Sequence, residues 1–270
     1  MRLKIFFIIF LTILFIVLAS CKRNQISGEN FVLLTTNFGD IKIKLSDSTP
    51  LHRDNFLCLV KLGYYDNIPF HRVINNFMIQ AGDVSTKPSF PGSDTISKYT
   101  LPPEIVSSLF HKKGAIAAAR LGNDINPEIR SSGTQFYIVQ GTVLNDEEIN
   151  NAESQINSSI NQLLFLRLLK QISDSARKGD IHLSDSEIHE KAALLMYEKL
   201  TGLTGYKIPD VQRAVYKTIG GVPRLDQTYT VFGEVVEGLD IVDKIASLET
   251  DQNNRPLSDI KILHASIVKK

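Results

Sequence analysis

Hydrophobic positions along the chain first alternate and then change period. Phe31 to Thr36 and Ile41 to Leu45 flank the turn Asn37-Phe38-Gly39-Asp40, and the second run alternates apolar with polar, which predicts a hairpin with one solvated face. Pro50 opens a helical stretch with Phe56, Leu59 and Val60 on one face, stopped by Gly63. Residues 68–84 read as two strands around Asn75-Asn76, and residues 85–113, with prolines at 88, 91, 102 and 103, read as loop. GAIAAA at 114–119 and the stretch from Gly133 to Val139 read as strands. The period then becomes helical. Asn145 with Glu148, and Ser184 with Glu187, form capping boxes that open helices running to about Lys178 and Leu200. A short third helix is predicted from Asp210 to Thr218. Strand periodicity returns at 230–236, and a helix at 239–245 and a strand at 260–268 complete the pattern.

The first twenty residues follow another rule. Arg2 and Lys4 precede fifteen residues, Ile5 to Ala19, that are apolar except for Thr12. That run is shorter than the roughly 20 residues a permanent bilayer span needs, and it reads as a secretory signal. Composition narrows the function classes. Thirty Lys+Arg against 29 Asp+Glu leave a net charge of +1, far from the basic balance of a chain that wraps nucleic acid. Two cysteines exclude a disulfide-rich scaffold and a four-cysteine zinc site, and the six histidines form no ligand cluster. Neither cofactor nor metal is expected, and no His/Ser/Asp or His/Cys spacing argues for hydrolysis.

Phe70-His71-Arg72-Val73-Ile74 followed by Phe77-Met78-Ile79-Gln80-Ala81-Gly82-Asp83 resembles the signature of cyclophilin-type peptidyl-prolyl isomerases. Four other stretches are similar to that family in the same order: Thr35 to Ile41, Gly114 to Arg120, Ser132 to Ile138, and Leu225-Asp226 with Tyr229 to Gly233. The resemblance spans about residues 31–141 and 219–268. It implies a mostly β fold, a closed eight-stranded antiparallel barrel capped by two helices, with the helical residues inserted as a hairpin. The chain then divides into a signal (1–20), a tether (21–30), an isomerase domain (31–141 and 219–270) and a helical insertion (142–218).

The activity implied is cis/trans isomerisation of the bond before proline. Amide resonance sets that barrier at about 18–20 kcal/mol, and no nucleophile is needed to lower it. By resemblance, Arg72 donates to the prolyl nitrogen as resonance is lost, and Gln80 orients the peptide; these are the expected catalytic pair. Phe77, Met78 and Tyr137 would form the proline pocket, with Ala119, Gln135, Leu225 and Tyr229 along the peptide groove. The chain departs from the family pattern at Tyr137, where Phe is usual, at Arg224, at Tyr229, and at Arg120. A non-catalytic peptide-binding or chaperone-like scaffold is the alternative reading.

Leu18-Ala19-Ser20-Cys21 resembles the lipobox of bacterial lipoproteins, in which the cysteine is acylated and the signal is cut before it. Loss of Arg2 and Lys4 with the signal lowers the net charge by two, to -1. Cys58 would then stand alone in the core. The resemblance implies a lipid bilayer as partner through Cys21, and an address in the envelope of a Gram-negative bacterium, on the outer membrane facing the periplasm. Proline-containing polypeptides or unfolded exported proteins are the expected substrates, and no nucleic acid is expected. The insertion carries an apolar run from Leu163 to Leu166 that would contact its partner helix through Ile188, Leu195 and Leu194, and offers a surface for further contacts.

Overall fold

Alternation along the first strand turns Val32 and Leu34 inward, and Ile41 and Ile43 answer from the second. A computed structural model describes residues 30–86, 99–179 and 181–270. The signal segment, Cys21 and the tether up to residue 29 lie outside the described residues. In chain order the elements are β1 (Phe31–Thr36), β2 (Gly39–Leu45), α1 (Pro50–Lys61), β3 (Ile68–Pro69), β4 (Arg72–Ile74), β5 (Met78–Ala81), β6 (Thr100–Leu101), β7 (Ala115–Ala118), β8 (Ser131–Ser132), β9 (Phe136–Val139), α2 (Asp146–Lys178), α3 (Asp185–Leu200), α4 (Asp210–Thr218), β10 (Val231–Glu237), α5 (Leu239–Ala246) and β11 (Lys261–Val268).

The expected mostly β, closed eight-stranded barrel is corrected on two counts. The main sheet has nine strands in the order β3-β11-β1-β2-β10-β7-β9-β5-β4, curled but open between β3 and β4. Those edge strands have only two and three residues and do not pair with each other. Their edges bond elsewhere: Phe70 N–H donates to Ile260 O at 2.9 Å and Val73 N–H to Asn254 O at 2.8 Å. The fold is also mixed α/β, because α2 alone runs 33 residues.

The concave side of the sheet holds the main core. Ile79, Ala81, Ile116, Ala118, Phe136 and Ile138 face it, covered by Phe56 and Leu57 of α1 and by Val242 and Ile245 of α5. Phe56, Tyr65 and Phe136 pack at centroid distances of 4.8–5.3 Å, with Phe136 edge-on to both other rings. Thr49 supplies no side-chain cap to α1. Glu104 does so from a distant loop, accepting from Leu51 N–H at 3.1 Å and His52 N–H at 3.0 Å. Cys58 is buried in α1.

Both predicted capping boxes are present, at Asn145 with Glu148 and at Ser184 with Glu187. The root of α2 packs Ile149 and Ile156 against Tyr216 of α4, Ile208 and Phe110. Further out, α3 buries only Ala192, with half-buried Ile188 and Met196 at the same four-residue spacing. Leu194 and Leu195, expected to face α2, are exposed, because the apolar run on α3 is wider than one contact stripe and the Ile188-Ala192-Met196 phase wins.

Candidate functional site

Period-two geometry builds the site on the convex side of the sheet. Where Ile79, Ala81, Phe136 and Ile138 point into the core, their neighbours Met78, Gln80 and Tyr137 point the other way. Registry then sets the spacing. Arg72 pairs with Gln80 across β4 and β5, Gln80 with Tyr137 across β5 and β9, and Ala117 with Tyr137 across β7 and β9. Gly82 permits the close approach beyond β5. Its φ is +89°, and a Cβ there would lie 2.2 Å from Thr134 O, so only glycine brings the end of β5 against the segment carrying Gln135.

The expected residues come together. Arg72, Phe77, Met78, Gln80 and Ala119 line one cavity of about 650 Å3, together with Gln135, Tyr137, Leu225 and Tyr229. One end is polar: Arg72 NH1 donates to Gln80 Oε1 at 3.3 Å, and Gln80 Nε2 donates to Gln135 Oε1 at 2.9 Å. The other end is apolar, with buried Met78, Ala119, Tyr137 and Leu225 backed by half-buried Phe77 and Tyr229. Tyr229 stands edge-on to Tyr137, at 6.1 Å between centroids. Cys21 lies outside the described residues. Among the described residues, no group of three or more His, Cys, Asp or Glu is placed to hold a metal ion.

Sequence reasoning missed the support beneath the pocket. The Tyr137 hydroxyl is buried and 2.9 Å from His111 Nε2. His111 Nδ1 lies 2.7 Å from Asp226 Oδ1, which also accepts the His111 backbone N–H at 2.9 Å. Tyr216, on α4, donates to Asp226 Oδ2 at 2.6 Å. A carboxylate only accepts, so Nδ1 carries a proton; in the neutral tautomer this leaves Nε2 as the acceptor for the Tyr137 hydroxyl. Burial pushes the Tyr137 hydroxyl well above its ordinary pKa and holds it as a donor. The signal was present: a tyrosine in place of phenylalanine on a buried strand requires a partner for its hydroxyl. That partner lies 26 residues away, in a loop without periodicity.

Sequence reasoning named Arg120 and Arg224 only as departures. Arg120 stacks over the Tyr229 ring at 4.2 Å, and Arg224 over the Phe77 ring at 4.6 Å.

Arg72, Gln80 and an apolar floor thus share one face of the curled sheet. The family model for cyclophilin type peptidyl-prolyl cis-trans isomerases matches residues 31–171 and 214–267, and the chain belongs to that family. Over 249 residues it is 29% identical to a protein of Staphylococcus saprophyticus assigned provisionally to the same isomerase class, covering 92% of this chain and 96% of that one. A similarly assigned Staphylococcus aureus protein is 30% identical over 236 residues, covering 87% and 90%. A crystal structure of a Cryptosporidium parvum cyclophilin-type isomerase matches the fold with a TM-score of 0.52 at 19% identity, covering 89% of this chain and 98% of that one.

The expected Gram-negative outer-membrane address is overturned. The two relatives named above are from Staphylococcus, which is Gram-positive. Among the described residues, no helix is long and apolar enough to cross a membrane. As a cyclophilin-type isomerase, the protein acts on proline-containing substrates.

Proposed function

We propose that Arg72 is the catalytic residue of this isomerase, working without covalent or metal chemistry. In the planar amide the prolyl nitrogen has no free lone pair; in the twisted state it regains one, and a guanidinium N–H can donate to it. Bonding that strengthens only in the twisted state lowers the barrier. Gln80 and Gln135, tied to each other, offer the peptide backbone a donor and an acceptor. Phe77, Met78, Ala119, Tyr137, Leu225 and Tyr229 hold the flat ring so that rotation falls on the bond before it. The observation that carries this reading is the single cavity joining the Arg72–Gln80–Gln135 line to the apolar floor. NMR exchange on an Ala-Pro peptide tests it, with Arg72→Ala expected to lose roughly a hundred- to a thousandfold, the effect of removing one preorganised donor.

The N-terminal pattern supports unfolded exported proteins as clients and acylation of Cys21 as the anchor. Intact mass of the bacterially expressed protein tests the anchor: an added acyl mass that Cys21→Ser abolishes supports it, and a non-acylated mass two hydrogens short, marking an intrachain disulfide, counts against it. The exposed Leu194, Leu195 and Tyr197 on α3 support a role for this tip in holding such clients.

A further inference from the structure

We infer that the groove selects prolines flanked by a carboxylate side chain, and that Arg224, with Arg120, reads that carboxylate. The inference rests on the isomerase reading above and names its substrate class.

Beside the main cavity lies a second, about 500 Å3, lined by Arg120 and Arg224 on the sheet side and by Ser154, Gln155, Ser158 and Ser159 of α2. The two cavities share Arg120, Leu225 and Tyr229, so a peptide leaving the proline pocket on this side enters it. Arg72, Arg120 and Arg130 line the first cavity, and among the described residues no Asp or Glu lines either one. None of these four arginines forms an ion pair among the described residues. Elsewhere cations are matched: Lys112 with Glu234, Lys113 with Asp243, Arg53 with Asp47 and Asp54, Lys217 with Asp146. The chain is nearly neutral overall, so the imbalance is local to the groove.

The geometry makes these cations receptive. Arg120 spends donors on neutral acceptors only: Thr228 O at 2.7 Å, Leu121 O at 2.8 Å and Asn123 Oδ1 at 2.9 Å. It is thereby fixed in place with its charge uncompensated. Arg224 is exposed, with its guanidinium carbon 4.6 Å from the Phe77 ring centroid, and forms no hydrogen bond with any described residue. A guanidinium stacked on a ring keeps its edge free, and that edge matches a carboxylate with two parallel bonds. Phe77 is a wall of the proposed proline pocket, which puts this free edge within a side chain's reach of the scissor point where the amide turns. A one-sign cleft with low-dielectric walls also concentrates its field.

The test uses the full described protein and blocked Ala-Pro peptides differing only in Glu, Gln or Lys at the positions flanking that pair. Amidated and acetylated ends remove terminal charges. The Glu peptide at one flank should be processed about two- to fivefold faster than its Gln counterpart, the range for exposed charge pairs. Lys there should be slower. The Glu advantage should shrink at about 0.5 M salt, where screening acts over roughly 4 Å. Arg224→Gln should bring the Glu:Gln ratio close to one, and Arg224→Lys should keep most of it. Equal rates for Glu and Gln in the wild type, or an unchanged ratio in Arg224→Gln, overturn the inference. If no peptide is turned over at all, the isomerase reading fails, and chemical-shift titration of the same peptides still reads the Glu:Gln affinity ratio and decides the selectivity question by itself.

Discussion

The root and the tip of the helical segment are joined by one continuous helix, α2, yet they are held by different physics. At the root, polar groups tie the segment to itself and, through Tyr216, to the His111–Asp226 pair beneath the pocket. Tyr216 reaches Asp226, Glu153 accepts from Lys207 Nζ and Ile208 N–H at 2.7 and 2.9 Å, and Asn157 bonds Tyr206 twice. At the tip, α3 buries Ala192, half-buries Ile188, Met196 and Leu200, and leaves Leu194, Leu195 and Tyr197 exposed. Directional bonds fix the root in one position and connect it to Tyr137 in the pocket floor. The tip is held by little apolar area, so its fate should be separable from that of the site. The family model draws a similar line, leaving residues 172–213 unmatched.

The strongest way to break this contrast is at its hub. Asp226→Ala strips partners from the His111 ring, the His111 backbone N–H and the Tyr216 hydroxyl together. Uncompensated buried polar groups cost about 1–3 kcal/mol each, so a loss of about 3 kcal/mol or more is expected in denaturant titrations. A loss below about 1 kcal/mol would mean the root does not depend on this network.

A second carboxylate sharpens the point on the other side of the sheet. Burial pushes the Glu104 pKa up, but hydrogen bonds from the His52 ring and from the His52 and Leu51 backbones outweigh it and leave the pKa below its ordinary value. A depressed folded-state value means the stabilisation is present above the ordinary carboxylate range and is lost as pH falls through the folded-state pKa. Glu104→Gln should therefore cost about 1–2 kcal/mol at neutral pH, with the gap from wild type closing under acid. Parallel melting curves down to low pH would show it, and a gap independent of pH would contradict it.

Tyr137→Phe is milder. It removes one buried hydroxyl and leaves His111 Nε2 unpaired, for a cost of about 1 kcal/mol. Peptide turnover should fall less than tenfold, because the ring remains. The smallest effect belongs to the tip. Replacing residues 162–203 by a short Gly/Ser bridge should leave tetrapeptide turnover within about threefold, since Arg72, Gln80 and the network residues all lie outside the deletion. A large loss would show that tip and site are one unit.

These contrasts were unevenly legible in the sequence. Strands and helices were readable where a period repeats, as in Ile41 to Leu45 or the capping boxes at Asn145 and Ser184, because those signals are local. Closure of the sheet was not, since it depends on β3 and β4, whose few residues carry no period. The site residues on β5 and β9 followed from a motif, but the His111–Asp226 pair joins positions 115 residues apart and leaves no spacing to read. The facing of α3 was obscured because Leu194 and Leu195 continue the apolar run past the stripe it uses.

The central claim is that one guanidinium lowers the barrier by bonding better to the twisted amide than to the planar one. Single-enzyme kcat and KM for wild type, Arg72→Ala and Arg72→Lys on one Ala-Pro peptide, measured by NMR exchange, test it most directly. The account predicts a fall of roughly a hundred- to a thousandfold for Arg72→Ala, carried by kcat with KM little changed, and a partial recovery in Arg72→Lys. Arg72→Ala protein that is folded and turns over at the wild-type rate, or that loses its rate through KM alone, would contradict it.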